Sequence, residues 1–424
     1  MLCGGCVRDL LLGRDPADYD VTTDATPDRV MALFPESVAV GAQFGVILIP
    51  RDGQKVEVAT FRSDVGYSDG RHPDRVEFSK TPQEDVQRRD FTVNGLLMQP
   101  ETDEVLDFVD GRADLEAGVI RAIGDPVQRF TEDKLRMMRA VRFAARFAFE
   151  IEPATFRAIR TLVGEIEQVS PERLREELTK MLTEGAARTA FELLDQTWLL
   201  QPVLPEIAAM QGVEQPAQFH PEGDVWIHTR LMIERLPAGA SPTLAWGVLL
   251  HDVGKPPTFK PASETGDRIR FDGHVKVGVR MAEAICRRLR FSNEDMEQIV
   301  ALVDNHMKFK DVDQMRGSTL KRFVRQPRFS EHLELHRLDC LSSNRQLESY
   351  GFVRRLLEET PPEQIRPPRL ITGEDLVQMG YKPGPAFSEI LRSVEDAQLE
   401  GLLATPEAAM EYVQEKFSQT ERGH

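Results

Sequence analysis

The hydrophobic period changes once along this 424-residue chain, and that change limits the folds open to it. Up to about residue 120, short β-like runs alternate with Gly- and Asp-rich turns: Val46-Ile47-Leu48-Ile49, Val56 to Phe61, and Glu104 to Phe108. Helical patterns lie between them, such as Pro27 to Leu33 entered through Thr26. From about Asp125 onward the pattern is one of amphipathic helices with almost no strand signal. The chain is therefore expected to be α+β, with a mixed α/β head followed by an all-α remainder. Proline-containing breaks at 202–216, 256–261 and 361–368 divide that remainder. The expected units are residues 1–123, 124–200, 201–350 and 351–424.

A chain of this length exceeds one compact core. With 41% hydrophobic and 29% charged residues it has the make-up of an ordinary globular protein. No segment has the roughly 18 uninterrupted apolar residues of a membrane helix. The start, Met1-Leu2-Cys3-Gly4-Gly5, lacks the basic and apolar stretches of a signal peptide, so a cytoplasmic protein without a membrane partner is expected. Four cysteines (Cys3, Cys6, Cys286, Cys340) are too scattered for a disulfide framework, and Cys3/Cys6 has no second pair to complete a zinc site. The formal charge of −16 excludes indiscriminate nucleic-acid binding, which needs positive surface. Residues 121–160 run against that trend, with nine Lys/Arg and five Asp/Glu, and are the expected place for RNA or a triphosphate.

Gly4-Gly5-Cys6-Val7-Arg8-Asp9 precedes a helix-like Leu10-Leu11-Leu12, and Asp18-Tyr19-Asp20-Val21 follows. Paired glycines before a helix let backbone approach a triphosphate, and Arg8 adds charge there. Asp18 and Asp20, two apart on an extended strand, project from one face, as hard Mg²⁺ requires of its oxygen ligands. Taken alone, Asp-x-Asp is more often a pair of turn residues. Glu57, inside Val56-Glu57-Val58, is the natural third carboxylate, since a charge buried there needs a metal or a partner. In Arg88-Arg89-Asp90-Phe91-Thr92-Val93-Asn94, preceded by Gly70-Arg71-His72-Pro73, the arginines can clamp phosphate oxygens while Asp90 orients one of them, although a surface ion-pair cluster has the same composition. From Glu132-Asp133 a continuous helix would place Asp133, Arg136, Arg139 and Arg142 on one stripe, opposite Leu135, Met138, Val141 and Ala145. Such stripes are commonly solvated faces; a carboxylate beside a guanidinium can also read the pairing edge of a base.

These segments, with Asp110-Gly111-x-x-Asp114-Leu115 and Pro171-Glu172-Arg173-Leu174-x-x-Glu177-Leu178, resemble in order the motifs of class II tRNA nucleotidyltransferases (CCA-adding enzymes) and their bacterial poly(A) polymerase relatives. The resemblance covers the first 200 residues. It implies a nucleotidyltransferase-type head (1–123), a neck with a nucleobase-selecting helix (124–200), a helical body (201–350) and a tail (351–424) that contacts tRNA. It further implies that Gly5, Arg8 and Arg89 hold the nucleotide, that Asp18 and Asp20 bind Mg²⁺, that Asp133 and Arg136 select CTP and ATP, and that Arg139 and Arg142 support the bound nucleotide. Glu57 as third carboxylate rests on the physical reasoning above. The implied partners are the tRNA 3′ end, CTP and ATP, with no obligatory protein partner. Family members usually carry a helix and most of a strand before the glycine pair, which puts the edge pairing of the first strand in question. Gly95 stands where Ala is commoner, a change expected to be tolerated.

A second series occupies the helical body: His228, His251-Asp252 in Leu249-Leu250-His251-Asp252-Val253-Gly254-Lys255, His274, His306 and Asp339. Neutral imidazoles with a neighbouring Asp suit a divalent transition metal. The series resembles the HD phosphohydrolase superfamily, which implies bound metal and hydrolysis of phosphate esters such as 2′,3′-cyclic phosphates. His220, His332 and His336 are read as ordinary. Thr372 is expected to cap a C-terminal helix.

The expected activity is template-independent CCA addition to tRNA with pyrophosphate release. A-only or poly(A) addition is the nearest alternative. The segment Arg62 to Val76, a flexible loop by composition, weighs against CC-only addition, and the acidic tail weighs against a poly(A) polymerase. An HD phosphohydrolase with a nucleotide-sensing head and a non-catalytic RNA-binding protein are the readings of other classes.

Overall fold

The computed structural model describes residues 1–41, 45–51, 54–66, 75–79 and 81–417. The head strands are β1 (Leu2–Cys3), β2 (Asp20–Thr23), β3 (Val38–Gly41), β4 (Val46–Arg51), β5 (Gln54–Thr60), β6 (Arg62–Val65), β7 (Arg75–Phe78), β8 (Leu97–Gln99) and β9 (Glu104–Leu106). Seven of them form one mixed sheet in the order β3-β4-β5-β2-β1-β8-β9, with β2 and β5 parallel. Short as it is, β1 is paired on both sides, Leu2 opposite Val21 and Met98, which answers the question over its edge. On one face Ile47, Ile49 and Val58 pack with Val30 of the helix Pro27–Leu33.

The segment 62–76 is not a loop at its ends: β6 and β7 pair antiparallel from Arg62↔Phe78 to Val65↔Arg75. Its tip, with Gly70-Arg71-His72-Pro73, lies outside the described residues.

The first helices are α1 (Gly5–Leu11), α2 (Pro27–Leu33), α3 (Pro82–Gln87), α4 (Gly111–Ala117), α5 (Pro126–Glu132), α6 (Leu135–Phe147), α7 (Pro153–Leu162), α8 (Pro171–Thr183) and α9 (Ala187–Gln196). The expected continuous helix through Asp133 is broken. Asp133 is extended (φ −146°, ψ 105°), and its Oδ1 accepts the Leu135 N–H at 3.1 Å, so the side chain competes with the helical ladder and restarts it as α6. Leu135, Met138, Val141 and Ala145 are buried as their spacing predicts. Thr372 caps Gly373–Gln378 in a reciprocal capping box with Asp375.

The motif glycines act by letting backbone come close. A Cβ on Gly111 would lie 2.2 Å from the Thr92 carbonyl oxygen. At Gly95 it would lie 2.7 Å from Val109 Cγ2, so the side chains here fill the room that an alanine would take, in keeping with glycine at this position.

The chain forms two compact units. One comprises residues 1–213, 233–245 and 285–291; the other comprises 214–232, 246–284 and 292–424. In the second, the helices Val225–Glu234, His274–Arg288, Asn293–Asn305 and Phe329–Ser342 carry or flank the histidine series. The tail has its own apolar cluster around Leu376, Ile390 and Val413. No described helix is long and apolar enough to cross a membrane.

Candidate active site and metal centre

In the head, Asp20 opens β2 directly beside Glu57 of the parallel strand β5, so the two carboxylates share a sheet face. Asp18 lies in the bend just before β2 rather than on the strand. The strand alternation that buries Val58 turns Glu57 outward, and it is exposed; the premise that it sits in a buried run is corrected. Burial, then Asp18, then Glu57, push the Asp20 carboxyl up to about 6. Three acidic groups crowding one another in this way are electrostatically suited to a divalent cation.

The glycine turn stands next to this cluster. Gly4 caps α1 with φ 71°, and a Cβ there would lie 2.9 Å from Arg89 Nη1. Arg89 thus reaches the turn, and its charge partly offsets the rise at Asp20. Its orientation comes from a residue the sequence reading did not single out. Asp85, fully buried, accepts from Arg89 Nη2 at 2.9 Å and from Arg88 Nη2 at 2.6 Å. Asp90, expected to orient one of these arginines, instead accepts from Arg139 Nε at 2.9 Å and from Asn94 Nδ2 at 3.0 Å. An i−4 carboxylate on the preceding helical turn was the available signal for Asp85.

Arg8 is only 4% exposed: it donates to Asp9 and to Asn94 Oδ1, and its guanidinium lies over the rings of Phe143 and Phe147 on α6. Arg142 is likewise internal, paired with Glu177 of α8 at 2.7 Å. The arginine stripe is therefore largely an interhelical ion-pair seam, of the kind in which removing one partner costs about 3–5 kcal/mol. Asp133 and Arg136 are each held separately, Asp133 by Arg173 at 2.7 Å and Arg136 by Glu132 at 2.8 Å and by the Arg88 carbonyl at 3.1 Å. Of the motif residues, Asp114 serves the fold, accepting from Thr92 Oγ1 and Arg121.

In the second unit His228, His251, Asp252, His274, His306 and Asp339 come together. His251 Nε2 lies 3.1 Å from Asp252 Oδ2, and His228 Nε2 lies 3.2 Å from Asp339 Oδ1. His274 and His306 present Nε2 to the other oxygen, Asp252 Oδ1, at 3.9 and 3.8 Å. Asp252 thereby stands between His251 on one oxygen and His274 and His306 on the other.

Three of the rings are tied back in one way: Nδ1 of His251, His274 and His306 meets the carbonyls of Val248, Phe271 and Val303 at 2.8, 3.0 and 2.7 Å. A carbonyl only accepts, so each Nδ1 carries the proton and each Nε2 offers its lone pair. Two of these Nε2 atoms, those of His274 and His306, are buried without a hydrogen-bond partner among the described residues. Burial pushes His306 down to about 4 and lowers His274, keeping both neutral. At His228 burial opposes the charge but Asp339 and Glu222 outweigh it, raising the ring to about 9.

Gly254 makes this gathering possible, since a Cβ there would lie 2.1 Å from the His274 carbonyl oxygen and 2.6 Å from the Gly278 nitrogen. Two further residues join the centre. Glu222 Oε1 meets His228 Nδ1 at 2.7 Å and His220 Nδ1 at 2.9 Å, so His220 is not the ordinary histidine expected. His336, in contrast, stacks on Phe309 at 4.4 Å, and His332 packs against Phe329.

A mixed sheet carrying a carboxylate cluster beside a glycine turn, with a separate buried histidine–aspartate centre, defines a nucleotidyltransferase that carries an HD centre. Comparison with known families bears this out: the Poly A polymerase head domain matches residues 1–121, the probable RNA and SrmB-binding site of polymerase A matches 148–211, and the HD domain matches 224–342. The CCA-adding enzyme of Levilactobacillus brevis is 32% identical over 413 residues, covering 96% of this chain and 91% of that protein. That of Lactobacillus helveticus is 42% identical over 219 residues, covering 52% of this chain and 54% of that protein. The crystal structure of the Bacillus stearothermophilus CCA-adding enzyme in complex with CTP shares the fold, with a TM-score of 0.71 at 24% identity over 98% of this chain and 93% of that one. The chain belongs to the CCA-adding enzyme family.

Proposed function

We propose that the protein builds or repairs the CCA end of tRNA from CTP and ATP in the cytoplasm, releasing pyrophosphate. The observation that carries this reading is Asp20 and Glu57 in register on one sheet face, with Asp18 and the Arg89-lined glycine turn beside them. Asp18 and Asp20, with Glu57 as third carboxylate, hold Mg²⁺, which when bound supplies activation of the RNA 3′-hydroxyl and neutralisation of the leaving pyrophosphate. Gly5 and Arg89 face the triphosphate. Arg8 supports that turn from within, through Asn94 and the two phenylalanines, and Arg139 and Arg142 brace the base-selecting helix through Asp90 and Glu177. Asp133 and Arg136 read the base, and a wrong base leaves these polar groups unpaired, which is how such a site discriminates. The functional division is head 1–123, neck 124–200, HD body 201–350 and tail 351–424, the tail contacting tRNA.

The test is incorporation of CMP and AMP into tRNA ending at the discriminator base, with each nucleotide supplied alone and together. Wild type is expected to add CCA. Asp18→Ala and Asp20→Ala are expected to lose about 10³-fold or more, the several kcal/mol of metal-ion catalysis. Addition of A alone, or undiminished transfer by both variants, defeats the reading.

The imidazoles that converge on Asp252, with the Nε2 atoms of His274 and His306 buried and unpaired among the described residues, favour a second activity. His228, His251, Asp252, His274, His306 and Asp339 hold one or two divalent transition metals, and the centre hydrolyses phosphate esters such as 2′,3′-cyclic phosphates.

A further inference from the structure

Beside the histidine–aspartate centre the second unit holds a cavity of about 670 Å³, within the range of small-molecule sites. His274, His306 and Asp339 of the centre line it, together with groups that the centre does not use. Among these are Phe219 and Met307, large apolar side chains that remain 48% and 44% exposed. The backbone that carries Phe219 is fixed, since its N–H and that of His220 both donate to the Pro216 carbonyl at 3.0 Å. Arg268 and Lys310 line the same space, and no ion pair engages either of them among the described residues. Two cations left unpaired in a chain of net charge −16 suit an anionic ligand. The carboxylates of Asp272 and Glu348 also reach the lining, Asp272 with Lys260 Nζ 3.9 Å away, and Asn344 and Gln346 add hydrogen-bonding amides. An exposed aromatic ring beside unpaired cations is what a nucleotide requires: the ring stacks on the base and the cations meet phosphate.

We propose that this cavity is a nucleotide subsite of the HD centre, in which Phe219 stacks on the base while Arg268 and Lys310 meet the 5′-phosphate of the nucleotide whose 2′- or 3′-phosphate ester lies at the centre. The assignment rests on reading that centre as a metal-bearing hydrolase. Every base has a π-face, so stacking on Phe219 selects nucleotides as a class over phosphate esters that carry no base, without choosing among bases. The contact to the 5′-phosphate narrows the class further. A nucleotide at the end of an RNA chain has that phosphate, as the link to its neighbour, whereas a free nucleoside cyclic phosphate lacks it and leaves the two cations unanswered.

The experiment uses the full-length chain loaded with Mn²⁺, Co²⁺ or Ni²⁺, with metal content measured for every sample, as wild type, Phe219→Ala, Phe219→Tyr and the double variant Arg268→Ala/Lys310→Ala. Three substrates share one reactive five-membered cyclic phosphate: adenosine 2′,3′-cyclic phosphate, the same compound with a 5′-phosphate, and glycerol 1,2-cyclic phosphate, which has no base. Phe219→Ala is expected to raise KM about tenfold for both adenosine substrates, with kcat and the glycerol ester changed less than about twofold, and Phe219→Tyr to restore the wild-type KM. The double variant is expected to raise KM about tenfold for the 5′-phosphorylated substrate alone. A readout independent of turnover is photolabelling with 8-azidoadenosine 3′,5′-bisphosphate followed by peptide mapping, expected to mark the segment around Phe219 in wild type and to fade in Phe219→Ala. An unchanged KM in Phe219→Ala, an equal loss on the glycerol ester, or label confined to the head overturns the subsite. A wild type that carries metal and cleaves none of the three esters overturns the hydrolase reading instead, and the photolabel then decides the nucleotide subsite by itself.

Discussion

The two centres of this protein are prepared in opposite ways. In the HD centre every ring is tied back through Nδ1, and the Nε2 atoms of His251, His274 and His306 converge on the buried Asp252 carboxylate. In the head, Glu57 and Asp18 stand at the surface, and Asp133 and Arg136, proposed to read the base, are bonded to Arg173 and Glu132. Buried, tied-back side chains suit a centre proposed to hold metal. A centre that must take CTP and then ATP needs ligands that exchange partners, and solvent-facing groups with protein carboxylates as stand-ins do so at lower cost.

The contrast is broken most sharply at Glu222. Glu222→Gln is expected to lower the metal affinity of the HD centre about 10–100-fold by loosening His228, with nucleotide addition by the head unaffected; titration of the chelator-stripped protein followed by metal analysis checks it. A smaller effect sharpens the other side. Arg173→Ala frees Asp133 and is expected to raise KM for both CTP and ATP about tenfold and to relax selection against UTP, consistent with roughly 1.5 kcal/mol for a charged hydrogen bond. Steady-state kinetics with each nucleotide decides, and an unchanged KM removes Arg173 from base selection.

The smallest effect is on stability. Asp20 titrates near 6 when folded against 3.8 for an unperturbed carboxyl, so folding is favoured most below pH 3.8, and that contribution fades as pH rises through 6. At pH 7 to 8 the ionised group weakens the metal-free fold. Asp20→Asn is therefore expected to raise Tm by a few degrees there while abolishing transfer, and Mg²⁺ is expected to raise Tm in wild type but not in the variant. Thermal unfolding across pH 4 to 8, with and without Mg²⁺, makes the comparison.

Residues that stay on one face of one element were legible in the sequence. The carboxylate at Asp20, the glycine turn and the apolar face of α6 lie where spacing puts them, whereas the six residues of the HD series, carried on separate segments, were grouped by resemblance and do come together. What escaped was choice of partner. Asp90 could be read as the companion of Arg88 or Arg89 because they are neighbours; its partner is Arg139, 49 residues away. Arg8 and Arg142 look like surface charge in a string of letters and are interior ion pairs. The break at Asp133 was hidden because an aspartate that bonds its own backbone leaves the hydrophobic period of the flanking helices intact.

Periodicity and composition by themselves determined a mixed head followed by helices, and the kinds of chemistry the chain can perform, because side-chain alternation and donor identity are local properties. Only the tertiary structure decided which carboxylate holds which arginine, that Glu57 faces outward, and that His220 shares Glu222 with His228. Those outcomes depend on distances between segments far apart in the chain, set by how sheet and helices close on one another.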